Sequence, residues 1–225
     1  YSAENFLKAG ADYIVIGEGE ETMTELVNSL MLVQAGGDDF AAEDHPLKKD
    51  IVGIAFLDDG KFIQTPERQK IKDLNELSLP NRKKINLQLY LDAWKTHHGK
   101  NALSVSTMRG CPYTCKWCSR AVYGLSYRRR NADKVAEELQ VLKKEYNPDS
   151  IWFVDDVFTI SHRWLTAFHD ELEKRNLRVP YECITRADRL NEEVILLLKA
   201  TGCFRVWIGA ESGSQRVIDL MDRRV

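Results

Sequence analysis

Three cysteines in one short segment are the residues of this chain that could do the most specific chemistry. Cys111, Cys115 and Cys118 follow the spacing C-x3-C-x2-C, and Gly110 and Pro112 help the backbone turn tightly around them. Three thiolates on one loop can converge on a single inorganic centre, and they lie too close together for a disulfide framework in the non-secreted protein that we expect. We therefore interpret them as metal ligands.

The number of cysteines distinguishes between a zinc site and an iron–sulfur cluster. A structural zinc ion takes four closed ligands, often two Cys pairs or a mixture of Cys and His, and no fourth ligand follows in this loop. Iron–sulfur clusters also usually take four cysteines, so three indicate a four-iron cluster with one iron left open for an outside ligand. Cys183 and Cys203 lie far along the chain in or beside apolar runs, which is typical of cysteines that act as small buried hydrophobic residues.

The segment after residue 100 alternates between strand and helix patterns. Strands are predicted at 103–107, 150–154, 181–184 and 204–208, and helices are predicted to begin near Asn131, Ser161, Asn191 and Ser214. Four such units in sequence imply parallel strands joined by right-handed crossovers. A complete eight-fold barrel takes about 250 residues, so we expect an α/β fold with a partial TIM-type barrel, of which residues 101–225 form the N-terminal part.

Polar residues follow every predicted strand of that barrel, where barrel enzymes concentrate their chemistry. The first strand ends at the cysteine loop, and the later strands end at Asp155-Asp156, Arg186 and Glu211-Ser212. The basic run 128–130 precedes a predicted helix, and we expect it to be a solvated surface feature and not a phosphate site, with one Arg facing the cavity as the alternative.

Residues 1–100 divide into two further predicted regions. Residues 1–35 contain one strand and one helix, which cannot bury each other, so we expect them to be the tail of a domain that lies upstream. Residues 36–100 form a hairpin and a connector. Asp59-Gly60 between two β-rich runs, 51–57 and 61–64, predicts the hairpin, and Pro66 and Pro80 break the pattern that follows. The run 34–50 is predicted to be a linker.

The cysteine segment resembles the defining motif of the radical S-adenosylmethionine (SAM) enzymes. Trp117 stands directly before the third cysteine, where that family carries an aromatic residue beside the adenine of SAM. The resemblance implies that Cys111, Cys115 and Cys118 hold a [4Fe-4S] cluster whose open iron binds the amino and carboxylate groups of SAM. In the family, electron transfer from the cluster cleaves SAM to methionine and a 5′-deoxyadenosyl radical, while the protein positions the reactants.

The same resemblance assigns expected roles to the other polar strand ends. Asp155 and Asp156 match the polar patch that accepts hydrogen bonds from the SAM ammonium group, although either could instead cap a helix. Arg186 suits the SAM carboxylate because of its guanidinium fork, and an ion pair with Asp188 is the alternative. Glu211 and Ser212 are similar to the motif that contacts the ribose hydroxyls, and helix capping by Ser212 or Ser214 is the alternative.

The N-terminal part resembles the flank of one radical SAM subgroup. Gly17-Glu18-Gly19-Glu20 is similar to a turn after the last strand of the Rossmann-like cobalamin-binding domain that precedes the barrel in that subgroup. This subgroup includes the anaerobic Mg-protoporphyrin IX monomethyl ester oxidative cyclases and natural-product methyltransferases, so cobalamin joins the expected cofactors. None of the five histidines lies in the subgroup's Asp-x-His-x-x-Gly cobalt-ligand motif. We therefore expect either that this motif lies upstream of Tyr1 or that the protein does not bind cobalamin through histidine.

Charge and hydropathy set the expected partners and location. The formal net charge is −2, from 32 basic and 34 acidic residues, which argues against general binding to nucleic acid or membrane surfaces. No apolar run approaches the roughly 18 residues of a spanning helix, so we expect a cytoplasmic protein without membrane contact. The resemblance implies a small-molecule substrate and an electron donor such as flavodoxin or ferredoxin.

These observations predict a radical SAM enzyme that functionalises an unactivated C–H bond, either by cobalamin-dependent methylation or by oxidative cyclisation. A tRNA methylthiotransferase is a second reading, but that group carries a further cysteine set upstream and residues 1–100 contain no cysteine. A non-enzymatic zinc or iron–sulfur module is the third. Its zinc form would hold one zinc per chain and no labile sulfide.

Overall fold

The computed structural model of the protein describes residues 2–35, 49–119 and 123–223. These residues divide into two compact units, one running to Ile71 and including Tyr123, and the other beginning at Lys72. Most of the predicted linker, residues 36–48, lies outside the described residues. None of the helices in the described residues is long and apolar enough to cross a membrane.

The first unit is built on three antiparallel strands. Its elements are α1 (Ala3–Lys8), β1 (Tyr13–Val15), α2 (Gly19–Ala35), β2 (Ile54–Asp58) and β3 (Lys61–Gln64). The predicted hairpin is confirmed: Asp59 and Gly60 take φ values of 48° and 75°, and Asp58 pairs with Lys61. β2 also pairs with β1, so the hairpin belongs to the same sheet as residues 13–15 and is not merely connective.

The first strand of the hairpin starts later than predicted. β2 begins at Ile54 and not at residue 51, because Gly53 turns the chain with a φ of 81°. Leu26 of α2 packs with Ile51, Ile54 and Phe56 in a small core of this unit.

The second unit contains the predicted parallel sheet. Its helices and strands are α3 (Leu87–His98), β4 (Ala102–Val105), β5 (Met108–Arg109), β6 (Arg128–Arg129), α4 (Ala132–Glu145), β7 (Ser150–Phe153), α5 (His162–Lys174), β8 (Tyr181–Thr185), α6 (Glu192–Ala200), β9 (Cys203–Ile208) and α7 (Gln215–Leu220). β4, β7, β8 and β9 lie side by side in chain order, all parallel. The expected α/β fold with strand–helix crossovers is therefore confirmed.

The helices form where apolar spacing and capping residues coincide. Leu165, Phe168 and Leu172 of α5 are buried on one face, as their spacing predicts. Ser161 and Asn191 cap α5 and α6, and each side chain accepts a hydrogen bond from a backbone N–H three residues on. Asn131 occupies the N-cap position of α4, but its side chain makes no capping hydrogen bond.

Aromatic rings fill the core between the sheet and α5. Phe153, Phe158, Phe168 and Tyr181 are almost completely buried, and the rings of Phe153 and Phe158 stack with centroids 4.7 Å apart. Burying each such side chain stabilises the fold by roughly 1.5–3 kcal/mol. This core holds β7 and β8 firmly, and so fixes the ends of the strands that carry the polar residues.

The predicted connector contains a helix that the irregular pattern did not reveal. α3 spans Leu87–His98 and ends at Gly99, whose φ is 75°. Leu91 is 2% exposed and belongs to the large core of the second unit, so this helix is part of the barrel unit. Most of its other apolar residues are exposed, which explains why the sequence shows no clear stripe.

Candidate metal and cofactor site

The cysteine loop leaves the sheet at the carboxyl end of β4 and is closed at its base by a short ladder. Met108 pairs with Arg129 and Arg109 pairs with Arg128, so β5 and β6 hold the two ends of the loop together. Gly110 has a φ of 76° and turns the chain into the first cysteine. The pairing of β5 with β6 therefore closes the base of the loop that follows β4, the first of the parallel strands.

The three thiols differ in exposure. Cys115 is buried, Cys111 is half-buried and Cys118 is exposed, and the backbone N–H of Cys118 donates to the Cys115 carbonyl at 3.3 Å. Burial raises the pKa of the Cys111 thiol, and the negative charges of Asp156, Cys118 and Cys115 raise this pKa further. Cysteine sulfurs are the ligands that iron–sulfur clusters take, so three thiols on one loop fit such a cluster as donors.

The sulfur atoms are not gathered around one point. In the part of the chain that the structure describes, no three His, Cys, Asp or Glu side chains form a group that could hold a metal ion. A four-iron cluster binds each cysteine at a different iron, so its ligands stand farther apart than the ligands of a single ion.

Arg186 lies after β8 and reaches the cysteine loop. Its Nη1 donates to the Cys115 sulfur at 3.7 Å, its Nε donates to Asp188 at 2.8 Å, and its Nη2 donates to the Arg223 carbonyl at 2.7 Å. The guanidinium also lies 4.0 Å from the ring centroid of Tyr113. The ion pair with Asp188, which was the alternative expected from the sequence, is thus present. The guanidinium nitrogens expected to bind the SAM carboxylate already donate to acceptors within the protein.

Asp155 lies beneath the loop and faces inward. Its carboxylate is 1% exposed and accepts from the backbone N–H groups of Thr107 at 2.7 Å and Met108 at 3.2 Å, and from the Thr107 hydroxyl. Arg129 Nη2 lies 3.6 Å away. Burial raises the pKa of the Asp155 carboxyl, and the Arg129 charge and these hydrogen bonds oppose the rise only in part. A SAM ammonium contact would need an exposed oxygen that Asp155 does not offer.

The basic run 128–130 is not the solvated feature that we expect from the sequence. The Arg129 side chain is 5% exposed, stacks on Trp164 with its Cζ 3.5 Å from the ring centroid, and donates to the Phe158 carbonyl. Arg130 pairs with the buried Glu138. Arg128 and Arg129 form β6 and Arg130 follows it, and all three are at most half-exposed, so burial overrides the usual surface preference of arginine.

Asp156 and Trp117 are exposed at the same end of the sheet. Asp156 directly follows Asp155 after β7, and its charge raises the pKa of Cys111, so it lies near the loop. Trp117 is 54% exposed, within the loop itself. Both side chains are accessible to a ligand beside the cysteines.

Glu211 and Ser212 lie after β9, close to Gly209 and Arg223. Glu211 has a φ of 62° and pairs with Arg223 at 3.4 Å, while the Ser212 hydroxyl accepts from the Ser214 N–H at 3.1 Å. A Cβ at Gly209 would lie 2.6 Å from the Glu211 carboxylate and 2.7 Å from the Arg223 guanidinium. Both atoms are ends of flexible side chains, which can shift away from such a Cβ.

The segment after α7 supports the cysteine loop. The Lys116 N–H donates to the Met221 carbonyl at 2.9 Å, and the Thr114 hydroxyl donates to the Asp222 carboxylate at 2.9 Å. Arg223 and Tyr113 are the contacts that sequence reasoning missed. The position of Tyr113 within the cysteine motif was a usable signal, whereas nothing near Arg223 in the sequence pointed to the loop.

Comparison with known proteins matches this arrangement to one family. Residues 105–225 match the radical SAM superfamily. The chain is 30% identical over 215 residues to an uncharacterised methyltransferase of Pyrococcus horikoshii, covering 95% of this chain and 43% of that protein. It is 32% identical to the anaerobic magnesium-protoporphyrin IX monomethyl ester cyclase of Rubrivivax gelatinosus, covering 94% of this chain and 36% of that protein.

Solved structures show the same fold. The cobalamin-dependent S-adenosylmethionine radical enzyme OxsB, with aqua-cobalamin and SAM bound, superposes with a TM-score of 0.73 at 21% identity, covering 100% of this chain and 31% of OxsB. The radical SAM methyltransferase TsrM of Kitasatospora setae, with cobalamin and a [4Fe-4S] cluster, superposes with a TM-score of 0.72 at 19% identity, covering 96% of this chain and 41% of TsrM.

The chain thus spans less than half the length of each of these proteins. The superfamily match covers more than half of the chain and contains the whole cysteine loop and the parallel strands β7, β8 and β9. The resemblance noted from the motif is confirmed, and this protein belongs to the radical SAM superfamily.

Proposed function

We propose that this protein binds a [4Fe-4S] cluster through Cys111, Cys115 and Cys118 and uses SAM to functionalise an unactivated C–H bond of a small molecule. The observation that carries the proposal is the C-x3-C-x2-C loop at the carboxyl end of β4, the first strand of a parallel sheet in a radical SAM family member. Barrel enzymes build their active sites at that end of the strands. When bound, the cluster supplies the electron that cleaves SAM into methionine and a 5′-deoxyadenosyl radical.

The exposed polar residues around the loop are proposed to orient SAM. Asp156 lies near Cys111 and is free to accept from the ammonium group, while the exposed Trp117 offers an apolar face to the adenine. Glu211 and Ser212 follow β9 and are proposed to contact the ribose hydroxyls. Asp155, which lies below the surface, is proposed to hold the base of the loop in place of its expected SAM contact.

The type of C–H functionalisation is proposed from the relatives. Methyltransferases and an oxidative cyclase stand among them, and the OxsB and TsrM structures contain cobalamin. We therefore propose cobalamin-dependent methylation or oxidative cyclisation, with an electron donor such as flavodoxin or ferredoxin. We propose that the protein acts in the cytoplasm and has neither a nucleic acid nor a membrane as a partner.

Anaerobic turnover tests the proposal. The protein is reconstituted with iron and sulfide, its content of both is measured, and it is incubated with SAM and dithionite. We expect about four irons with matching sulfide and formation of 5′-deoxyadenosine, which should fall to background in Cys115→Ser. One zinc without sulfide, or a fully loaded cluster that yields no 5′-deoxyadenosine with candidate substrates present, would overturn the proposal.

A product measurement separates the two reaction types. If the chain methylates its substrate, S-adenosylhomocysteine should accumulate together with 5′-deoxyadenosine, because the methyl group of a second SAM is consumed. Oxidative cyclisation should yield 5′-deoxyadenosine without S-adenosylhomocysteine. Added methylcobalamin should raise turnover in the methylation case and serves as the test of the cobalamin requirement.

A further inference from the structure

Arg186 is a buried cation held in one position by the protein. Its side chain is 3% exposed, and all three guanidinium nitrogens have acceptors within the second unit. Its charge is partly compensated by Asp188, whose other carboxylate oxygen lies 3.6 Å from Arg189 Nε. A guanidinium fixed in this way keeps its orientation without paying further side-chain entropy when a ligand arrives.

One of those acceptors is the sulfur of a proposed cluster ligand. Arg186 Nη1 lies 3.7 Å from Cys115 Sγ, and Cys115 is the buried member of the three cysteines. Tyr113, two residues before Cys115, has its ring centroid 4.0 Å from the Arg186 guanidinium carbon. The arginine therefore contacts the loop at both residues, and its charge is shielded from water.

A hydrogen-bond donor and a positive charge beside a ligand sulfur change the reduction potential of the cluster that the sulfur binds. Reduction adds one negative charge to a cluster, and a fixed cation nearby stabilises the reduced form more than the oxidised form. Hydrogen bonds to the sulfurs and exclusion of solvent are among the factors that set the potential of iron–sulfur clusters.

We propose that Arg186 is a positioning residue for Cys115 that raises the reduction potential of the cluster, and that it does not bind the SAM carboxylate. This inference rests on the proposed function, because it requires the cluster at Cys111, Cys115 and Cys118. It differs from the role expected from the sequence, in which the same guanidinium binds SAM directly.

The test is a redox titration of the reconstituted protein without SAM, followed by electron paramagnetic resonance. Arg186→Gln removes the charge and the donation to sulfur, so we expect a more negative midpoint, equivalent to about a tenfold fall in the ratio of reduced to oxidised cluster at a fixed solution potential. Arg189→Gln is the matched control. It removes an equal charge that also faces Tyr113 and Asp188, but among the residues that the structure describes it contacts no cysteine sulfur, so its shift should be smaller.

The outcomes separate this inference from the proposed function. An unchanged midpoint in fully loaded Arg186→Gln, or equal shifts in the two variants, would overturn the role of Arg186. A normal midpoint with weakened SAM binding would assign Arg186 to the SAM carboxylate instead. If Arg186→Gln does not fold, Arg186→Lys replaces it, and the expected result is a smaller shift in the same direction. A wild-type protein without iron and sulfide would refute the proposed function itself.

Discussion

Removal of the Asp155 carboxylate should destabilise the second unit strongly. Asp155 Oδ1 accepts from two backbone N–H groups, those of Thr107 and Met108, and Oδ2 accepts from the Thr107 hydroxyl. Arg129 supplies the neighbouring positive charge. Asp155→Ala leaves these donors and that cation buried without their acceptor.

The magnitude follows from those contacts. Each buried donor left unsatisfied costs about 1–3 kcal/mol, and removing one partner of a buried ion pair costs about 3–5 kcal/mol. These costs overlap because the groups are in contact, so we expect a total loss of about 3–5 kcal/mol for Asp155→Ala. Asp155→Asn keeps an oxygen for both backbone donors but loses the charge and the acceptor of the Thr107 hydroxyl, so we expect a smaller loss of about 1–3 kcal/mol.

Urea unfolding of the reduced apoprotein, followed by tryptophan fluorescence, measures these differences. Trp152 and Trp164 lie in the second unit and report on its unfolding. Asp156→Ala is the control, since this adjacent carboxylate is exposed and its removal should change stability by no more than about 0.5 kcal/mol.

Two results would refute the reasoning about Asp155. A loss of less than about 1 kcal/mol for Asp155→Ala would show that the buried donors find other acceptors. Equal losses of unfolding free energy in the Ala and Asn variants would show that the Asp155 carboxylate does not stabilise the fold through its hydrogen bonds to the backbone. A further consequence is that Asp155→Ala should lower iron content after reconstitution, because Met108 begins the strand that leads into the loop.

Three further predictions concern other parts of the second unit. Cys183→Ala should retain its full iron content, whereas Cys115→Ser should lose it, as measured by iron and sulfide assays. Equal losses of iron in the two variants would contradict the assignment of ligands. Gly202→Ala should destabilise the fold by about 1–3 kcal/mol in urea, because φ is 99° and the new Cβ would lie 2.9 Å from the Val179 carbonyl oxygen; an unchanged midpoint would contradict it. The pKa of Asp149 is lowered, mainly by a hydrogen bond from the Asn101 N–H, so its stabilising contribution is complete above its ordinary pKa and is lost as pH falls through the folded value. Unfolding free energies of wild type and Asp149→Asn should therefore differ near neutral pH and converge in acid, and a constant difference would refute this.

Much of the barrel could be predicted because its signals are local. The strand ends agree with the structure to within two residues, since apolar runs and capping residues such as Ser161 and Asn191 act over a few positions. The helix α3 was missed because only Leu91 among its apolar residues is deeply buried, so no periodic stripe marks it. The hairpin was recognised from Asp59-Gly60, but its pairing with β1 depends on contacts across about 40 residues of chain, which no local pattern encodes.

The amino-acid sequence alone determined the family and the order of the four parallel strands with the helices between them, and it predicts the kind of centre, because cysteine spacing and apolar periodicity are properties of neighbouring residues. Only the tertiary structure decided what each polar strand end contacts. Asp155 and Arg186 have the residue types expected of SAM ligands, yet folding buries both and satisfies them with Thr107, Met108 and Cys115. The cause is general: a buried charge must find its partners inside the protein, and those partners are brought together only by the packing of distant segments.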